Sequence, residues 1–258
     1  MIYSRRCIYR DRVKCLATTF ETLNNKIQRL DMVQSPDDPW WSMMNPEIGI
    51  FRDYLLSMEA FLEAEARQHN ESIDVIDERI RRGEIKPILN DSTQIPAQMD
   101  YDFYRLQMLE HFSNILWKSC FVSLYTYLET SLMHRCQWQR QRIGITIDLK
   151  DMAKSGLERS MLYLEKVVRI KFSRGTSREW SDIQNYRQLR NCIVHNQGVL
   201  DENVEHREKL ARYLRNKSTI SLDINNEILL SREFCEETIE TIERFLFAVD
   251  ANLSSEET

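Results

Sequence analysis

From Tyr101 to Arg142 the chain runs for 42 residues, YDFYRLQMLEHFSNILWKSCFVSLYTYLETSLMHRCQWQRQR, without a glycine or a proline. Leu109, Leu116, Trp117, Phe121, Leu124, Leu128 and Leu132 return at helical core spacing along it. β-Strands span about 3–10 residues, so a run of this length predicts one long helix. Its basic last turn (Arg135, Arg140, Arg142) suits the negative end of the helix dipole, and Gly144 supplies a stop.

The remaining chain extends the pattern. Only 6 Gly and 5 Pro accompany 42% hydrophobic residues, so the turns of a many-stranded barrel are lacking while the apolar mass suffices for one large core or two modest ones. Residues 9–34 read as an amphipathic helix through Val13, Leu16, Phe20, Leu23, Ile27 and Leu30, ending before the connector SPDDPWWSMMNP (35–46). A second helix, 47–82, carries Ile50, Tyr54, Met58, Phe61, Leu62, Ile73, Ile76 and Ile80 and stops at Gly83. The stretch 85–100, with two prolines, reads as a loop. Beyond the long helix come a short extended segment, ITIDL (145–149), a compact helix over 154–170 with Ser155 as its N-cap, and the basic loop KFSRGTSREW (171–180). Helices over 177–196 and 201–215 follow. Ile220, Leu222 and Ile224 alternate before an Asn225-Asn226 turn, and Ile228 and Leu230 resume, which predicts a small β-hairpin. A last helix, 233–251, buries Phe234, Ile239, Ile242, Phe245, Leu246 and Val249. The expected fold is an all-α antiparallel helical bundle with one β-hairpin before the C-terminal helix.

Six scattered cysteines without a CxxC pair read as reduced core residues, and no apolar run approaches the roughly 18 residues of a membrane span. A cytoplasmic protein is expected. Net charge is −5, which excludes a general basic field for gripping nucleic acid, yet Lys166 to Arg190 holds seven basic and two acidic residues. Lys171, Arg174, Arg178 and Arg187 in this strip are candidates for guiding a polyanion.

The strip ends in YRQLRNCIVHNQG (186–198). At about 100° per residue from Ile183, Tyr186, Leu189, Ile193 and Val194 define an apolar side near 300°, 240°, 280° and 20°, and Arg190 falls inside it at roughly 340°. An unpaired guanidinium there costs several kcal/mol, so it needs an acid, a polar pocket or an interface. Asn191 and His195 lie on the flank, where the Arg190 side chain can reach them. Glu129 on the long helix is either a solvated residue or an ion partner for Arg190. Tyr186 packs in the core or stacks a base. Spacing by itself carries little, since Arg105 and His111 stand at a comparable distance.

RNCIVHN resembles the signature of the HEPN superfamily (higher eukaryotes and prokaryotes nucleotide-binding), an Arg four to six residues before a His with a polar residue directly after the Arg. LWKSCFVSLYTYLETSL and GLERSMLYLEKVVRIKF look like the long and linking helices that precede the motif in that superfamily. The resemblance covers residues 100–258, leaving 1–99 as an N-terminal helical extension of unassigned role. It implies a metal-independent, cofactor-free endoribonuclease whose active site forms between two protomers. His195 would be the acid or base, Arg190 the phosphate clamp and Asn191 an orienting or substrate-binding group. Attack by the ribose 2′-hydroxyl would leave a 2′,3′-cyclic phosphate and restrict the enzyme to RNA. Roles of the superfamily in toxin and antiphage systems imply growth arrest as a phenotype. Some members are silenced by modification of a tyrosine two residues after the histidine; Gln197 stands there, so any regulatory partner works otherwise.

Two other classes stay open: a catalytically silent HEPN module for binding or assembly, and a helical scaffold in which Arg190 forms a buried ion pair. His134 and Cys136, two apart on a helix, point to opposite sides and do not make a metal site. GxGxxG, GxxxxGK[ST] and GxSxG are absent. Trp40 and Trp41 read as anchors of a connector.

Overall fold

The computed structural model describes residues 39–84, 97–172, 177–202 and 207–254. Contacts divide the chain into two units, Met1–Asn45 and Pro46–Thr258. Of the first, only the opening turns of a helix are described, and the amphipathic segment 9–34 lies outside the described residues. That helix, α1 (Pro39–Arg81), starts within the expected connector. Proline is favoured in the first turn of a helix, where its missing N–H has no intrahelical partner to lose. The helix then runs on through Pro46, the residue taken as the boundary in the sequence.

The second unit is all-α with one two-stranded antiparallel hairpin before its last helix, as the sequence predicts. After α1 come α2 (Ala97–Arg142), α3 (Gly156–Tyr163), α4 (Arg178–His195), α5 (Arg207–Arg215), β1 (Ile220–Leu222), β2 (Ile228–Leu230) and α6 (Arg232–Ser254). The unit spans Pro46–Thr258 and so includes most of α1. Its α1 portion buries Ile48 and Leu55, and Arg52 and Glu59 reach Glu243 and Arg232 of α6 at 2.6 and 3.2 Å.

Packing centres on α2, α4 and α6. Phe121, Tyr186 and Phe234, one from each, meet with ring centroids 5.4–5.8 Å apart. Each such pair adds about 0.5–1.5 kcal/mol beyond its burial. Trp117, Leu124, Leu128 and Leu132 continue the buried side of α2, while Leu109 and Leu116 are half-buried. On α6, Phe234, Ile239, Ile242, Phe245, Leu246 and Val249 are all buried.

Local chemistry sets the element ends. Ser177 caps α4, its hydroxyl oxygen accepting from the Trp180 N–H at 3.1 Å. ITIDL forms no strand; Asp148, itself extended, caps a 3₁₀ turn, Leu149–Asp151, with a reciprocal bond from its own N–H to Asp151. An Asp followed three residues later by another carboxylate is a capping box, and that local pairing outcompetes the strand. α3 continues as a π turn, Leu164–Val168, closed by Arg169 at φ 70°. In the hairpin, Ile220 faces Leu230 and Leu222 faces Ile228. The turn is five residues wide, not two, because Asp223 Oδ1 accepts from the N–H groups of Asn225 and Glu227. Ile224 is thereby left in the loop, 98% exposed.

Candidate active site

On α4 the buried residues are Trp180, Ile183, Tyr186, Leu189 and Cys192, at steps of three. Three residues fall roughly 60° short of a full turn, so the core-facing side winds backwards round the helix. By Leu189 and Cys192 it has turned away from Arg190. Arg190 therefore does not lie in an apolar arc. The arc read from the sequence leaned on Ile193 and Val194, of which the first is half-buried and the second 45% exposed. The side opposite Leu189 and Cys192 carries Arg187, Arg190 and Asn191.

That side faces a polar cleft of about 190 Å³. Tyr125 and Glu129 of α2, Ser155, Gly156 and Leu157 at the start of α3, and Arg187, Arg190 and Asn191 of α4 line it. Arg190 Nη1 donates to Asn191 Oδ1 at 3.3 Å, while its Nε–H is buried without a partner. Arg187 stands 3.9 Å from Glu158. Glu129 shares the cleft, but its carboxylate lies against Gly156 and forms no ion pair with Arg190. A methyl group at Gly156 would collide with that carboxylate, and its φ of +52° also suits glycine. Tyr125 is 2% exposed, and its hydroxyl has no hydrogen-bond partner. Burial, reinforced by the Glu129 charge and opposed by Arg187 and Arg190, raises the Tyr125 pKa well above the usual phenol value. The phenol is therefore a donor at any working pH.

His195 is the last residue of α4, exposed, and not among those lining the cleft. The three polar ends expected to converge are only two in a single chain. Five helical residues carry His195 roughly 140° round from Arg190 and about 7.5 Å along the axis. The turn beyond it is held firmly. Gln197 and Gly198 have φ of 55° and 78°, and the Gly198 N–H returns to the Cys192 carbonyl at 3.1 Å. The Ile228 N–H of β2 donates to the Gly198 carbonyl at 2.8 Å. A Cβ on Gly198 would stand 2.8 Å from Lys118 Nζ, which is itself anchored to Glu227 at 2.6 Å beside Asn114.

Of the strip residues expected to guide a polyanion, Arg187 lines the cleft. Lys171 and Arg178 are exposed, and Arg178, twelve residues before Arg190, sits about 18 Å back along the helix axis. Arg174 lies outside the described residues. Tyr186 belongs to the core, its hydroxyl donating to Thr241 Oγ1 at 3.3 Å, and offers no face to a base. Tyr125, Gly156, Lys118 and Glu227 were not singled out by sequence reasoning. Gly156 and Gly198 were the available signals, being two of six glycines in the chain. Among the described residues, no group of three His, Cys, Asp or Glu side chains is placed to hold a metal ion, and no helix is long and apolar enough to cross a membrane.

Fold and cleft thus define a class by architecture: an all-α protein with a β-hairpin before its last helix and a two-arginine cleft beside the core. Compared with protein-family models, curated proteins and solved structures, the chain finds no match.

Proposed function

We propose that the chain is a metal-independent endoribonuclease of the HEPN type, with RNA as substrate and a second copy of itself as partner. One observation carries this reading: Arg190, next to Asn191, presents a guanidinium to a polar cleft with a buried N–H left unbonded. A buried N–H without a partner carries its desolvation cost unrepaid, and this one lines a cleft that a ligand can enter. A planar, permanently charged donor fork suits a phosphate, and it stabilises the charge that gathers on the pentacoordinate phosphorus of the transition state. Asn191 Oδ1 orients the fork.

His195 supplies proton transfer. It accepts the proton of the ribose 2′-hydroxyl as that oxygen attacks phosphorus; the bond from phosphorus to the 5′-oxygen breaks, and the departing oxygen takes a proton from the second copy's histidine or from water. The products are a 2′,3′-cyclic phosphate and a free 5′-hydroxyl. His195 lies roughly 140° round the helix from the Arg190 of its own chain and outside its cleft, an arrangement suited to a two-fold dimer in which each histidine serves a shared site. In this reading the protein works in the cytoplasm with reduced cysteines, under control of a regulatory partner, and arrests growth as a toxin or antiphage effector.

Purified protein incubated with total RNA in EDTA, beside Arg190→Ala and His195→Ala, tests this directly. Cleavage that survives chelation and needs both residues is the expected result. Full activity in His195→Ala, or in a monomeric form, would sink the proposal. The exposed His195 outside the Arg190 cleft equally suits a catalytically silent HEPN module that binds without cutting; RNA binding with no cleavage, and no toxicity on expression, would select it.

A further inference from the structure

We infer that the cleft between α2, the start of α3 and α4 is a phosphate-binding pocket in which Arg190, Arg187 and the Tyr125 hydroxyl hold one tetrahedral oxyanion. Four observations converge on it. Two arginines line the cleft, and the Nε–H of one is buried without a partner. Tyr125 lines it too, with a buried hydroxyl that bonds nothing and is under the influence of the cleft's charges. The first turn of α3 forms part of the wall, and Ser155 makes no side-chain cap bond there. First-turn N–H groups have no intrahelical acceptor and attract negative charge. Finally, the protein already sets a carboxylate at that helix start: Glu129 Oε1 lies where a Cβ on Gly156 would stand, 2.4 Å from it.

Charge and size narrow the ligand. Arg187 and Arg190 face Glu129 within the cleft, and Glu158 stands 3.9 Å from Arg187. The acids bring the pocket's own charge close to neutral, so a bound phosphate must displace Glu129 from the α3 terminus. The volume, about 190 Å³, falls below the roughly 300–1,000 Å³ of small-molecule pockets. It takes a phosphate group with its water, not a whole nucleotide, and leaves any nucleoside outside. A phosphodiester of a nucleic acid and a free phosphate share this chemistry. Tyr125 donates one hydrogen bond, Arg190 and Arg187 donate the rest, and no acid need be protonated.

Binding of inorganic phosphate to the full chain, followed by ³¹P line broadening or calorimetry, tests the pocket independently of cleavage. The same titration with a short 2′-O-methyl oligonucleotide, which has no free 2′-hydroxyl to attack, tests the polymer; only this second arm rests on the ribonuclease reading. Tyr125→Phe keeps the ring and should weaken binding about tenfold, as loss of a hydrogen bond to a charged group does. Arg190→Ala should weaken it more, and Glu129→Gln should tighten it severalfold. If the variants move both probes, the pocket holds a nucleic-acid phosphodiester; if they move inorganic phosphate alone, it serves a free phosphate ligand. Affinities for both probes unchanged by Tyr125→Phe and Arg190→Ala would overturn the assignment, as would weaker binding in Glu129→Gln. Phosphate binding that persists without any RNA cleavage would reject the nuclease and keep the pocket, whereas cleavage that needs Arg190 and His195 but ignores Tyr125 and Glu129 would do the reverse.

Discussion

Arg135 and Arg190 are both held against the protein interior, and they are treated in opposite ways. Arg135 is 2% exposed and saturated: Nε and Nη2 donate to the two oxygens of Asp250 at 2.6 Å each, and Nη1 donates to the Ser131 carbonyl at 3.1 Å. Arg190 has a buried Nε–H with no partner and one longer bond, 3.3 Å, to the residue beside it. The tyrosines repeat the contrast. Tyr186 reaches Thr241 in the core, while the equally buried Tyr125 reaches nothing. Arg135 and Tyr186 make their bonds within the chain, and what sets Arg190 and Tyr125 apart from other buried atoms without a partner, such as Arg232 Nε, is that both line one polar cleft.

The largest expected effects separate the two arginines by kind. Arg135→Ala leaves Asp250 charged, buried and without its bidentate partner, and should cost about 3–5 kcal/mol of stability in urea unfolding. Arg190→Ala removes a partly exposed side chain that few partners need, and should change stability by less than about 1 kcal/mol. Its loss should appear instead in RNA cleavage, by a factor of about 10²–10³, the usual consequence of deleting one preorganised stabiliser of transition-state charge. Equal destabilisation by the two substitutions would dissolve the distinction.

A middle-sized effect is expected where α4 ends. Gly198 at φ +78° faces Lys118 Nζ, which Glu227 holds at 2.6 Å, whereas Gly83 at φ +73° has nothing near its absent Cβ. Gly83→Ala therefore bears backbone strain alone, about 1–2 kcal/mol. Gly198→Ala bears the same strain and must also push Lys118 off its carboxylate, so unfolding should show a larger cost, about 2–3 kcal/mol. Parity between the two alanines would mean that the Lys118–Glu227 pair does not hold the turn after His195.

What could be read in advance follows from the range of the forces involved. The long helix, the motif helix, the hairpin and the last helix were legible because apolar side chains at helical or alternating spacing report burial directly, as at Leu124, Leu128, Tyr186 and Ile242. Arg190, Asn191 and Glu129 drew notice because a charge read inside an apolar arc needs an explanation, yet the explanation differs: the three line one polar cleft, and the ion pair between Glu129 and Arg190 is not formed. The side on which Arg190 emerges was not legible. It depends on a buried row that advances by three and winds, and Cys192 and Trp180 weigh little in a wheel drawn around Ile193 and Val194. Tyr125 and Gly156 were invisible because their meaning lies in the approach of α2 and the start of α3 to α4, with Tyr125 65 and Gly156 34 residues before Arg190. The direction of His195 is likewise a matter of how far one helix turns before it stops.

The smallest effect is the most discriminating, because it asks for opposite signs from one chemical change. Tyr186→Phe deletes a hydroxyl that donates to Thr241 Oγ1 at 3.3 Å in a core position. It should lower stability by about 0.5–1.5 kcal/mol, the net worth of a typical internal hydrogen bond. Tyr125→Phe deletes a buried hydroxyl whose desolvation is not offset by any bond. In the absence of ligand it should leave stability unchanged or raise it by up to about 1 kcal/mol. Phosphate then works against that order: a ligand that binds only the folded state stabilises it by an amount that grows with the logarithm of its affinity, so saturating phosphate should raise the melting temperature of the parent more than that of Tyr125→Phe, with Tyr186→Phe responding as the parent does. Destabilisation of the unliganded protein by Tyr125→Phe to the same extent as by Tyr186→Phe would mean that the phenol already has its partner, and the cleft would lose its claim to be the unfinished part of the molecule.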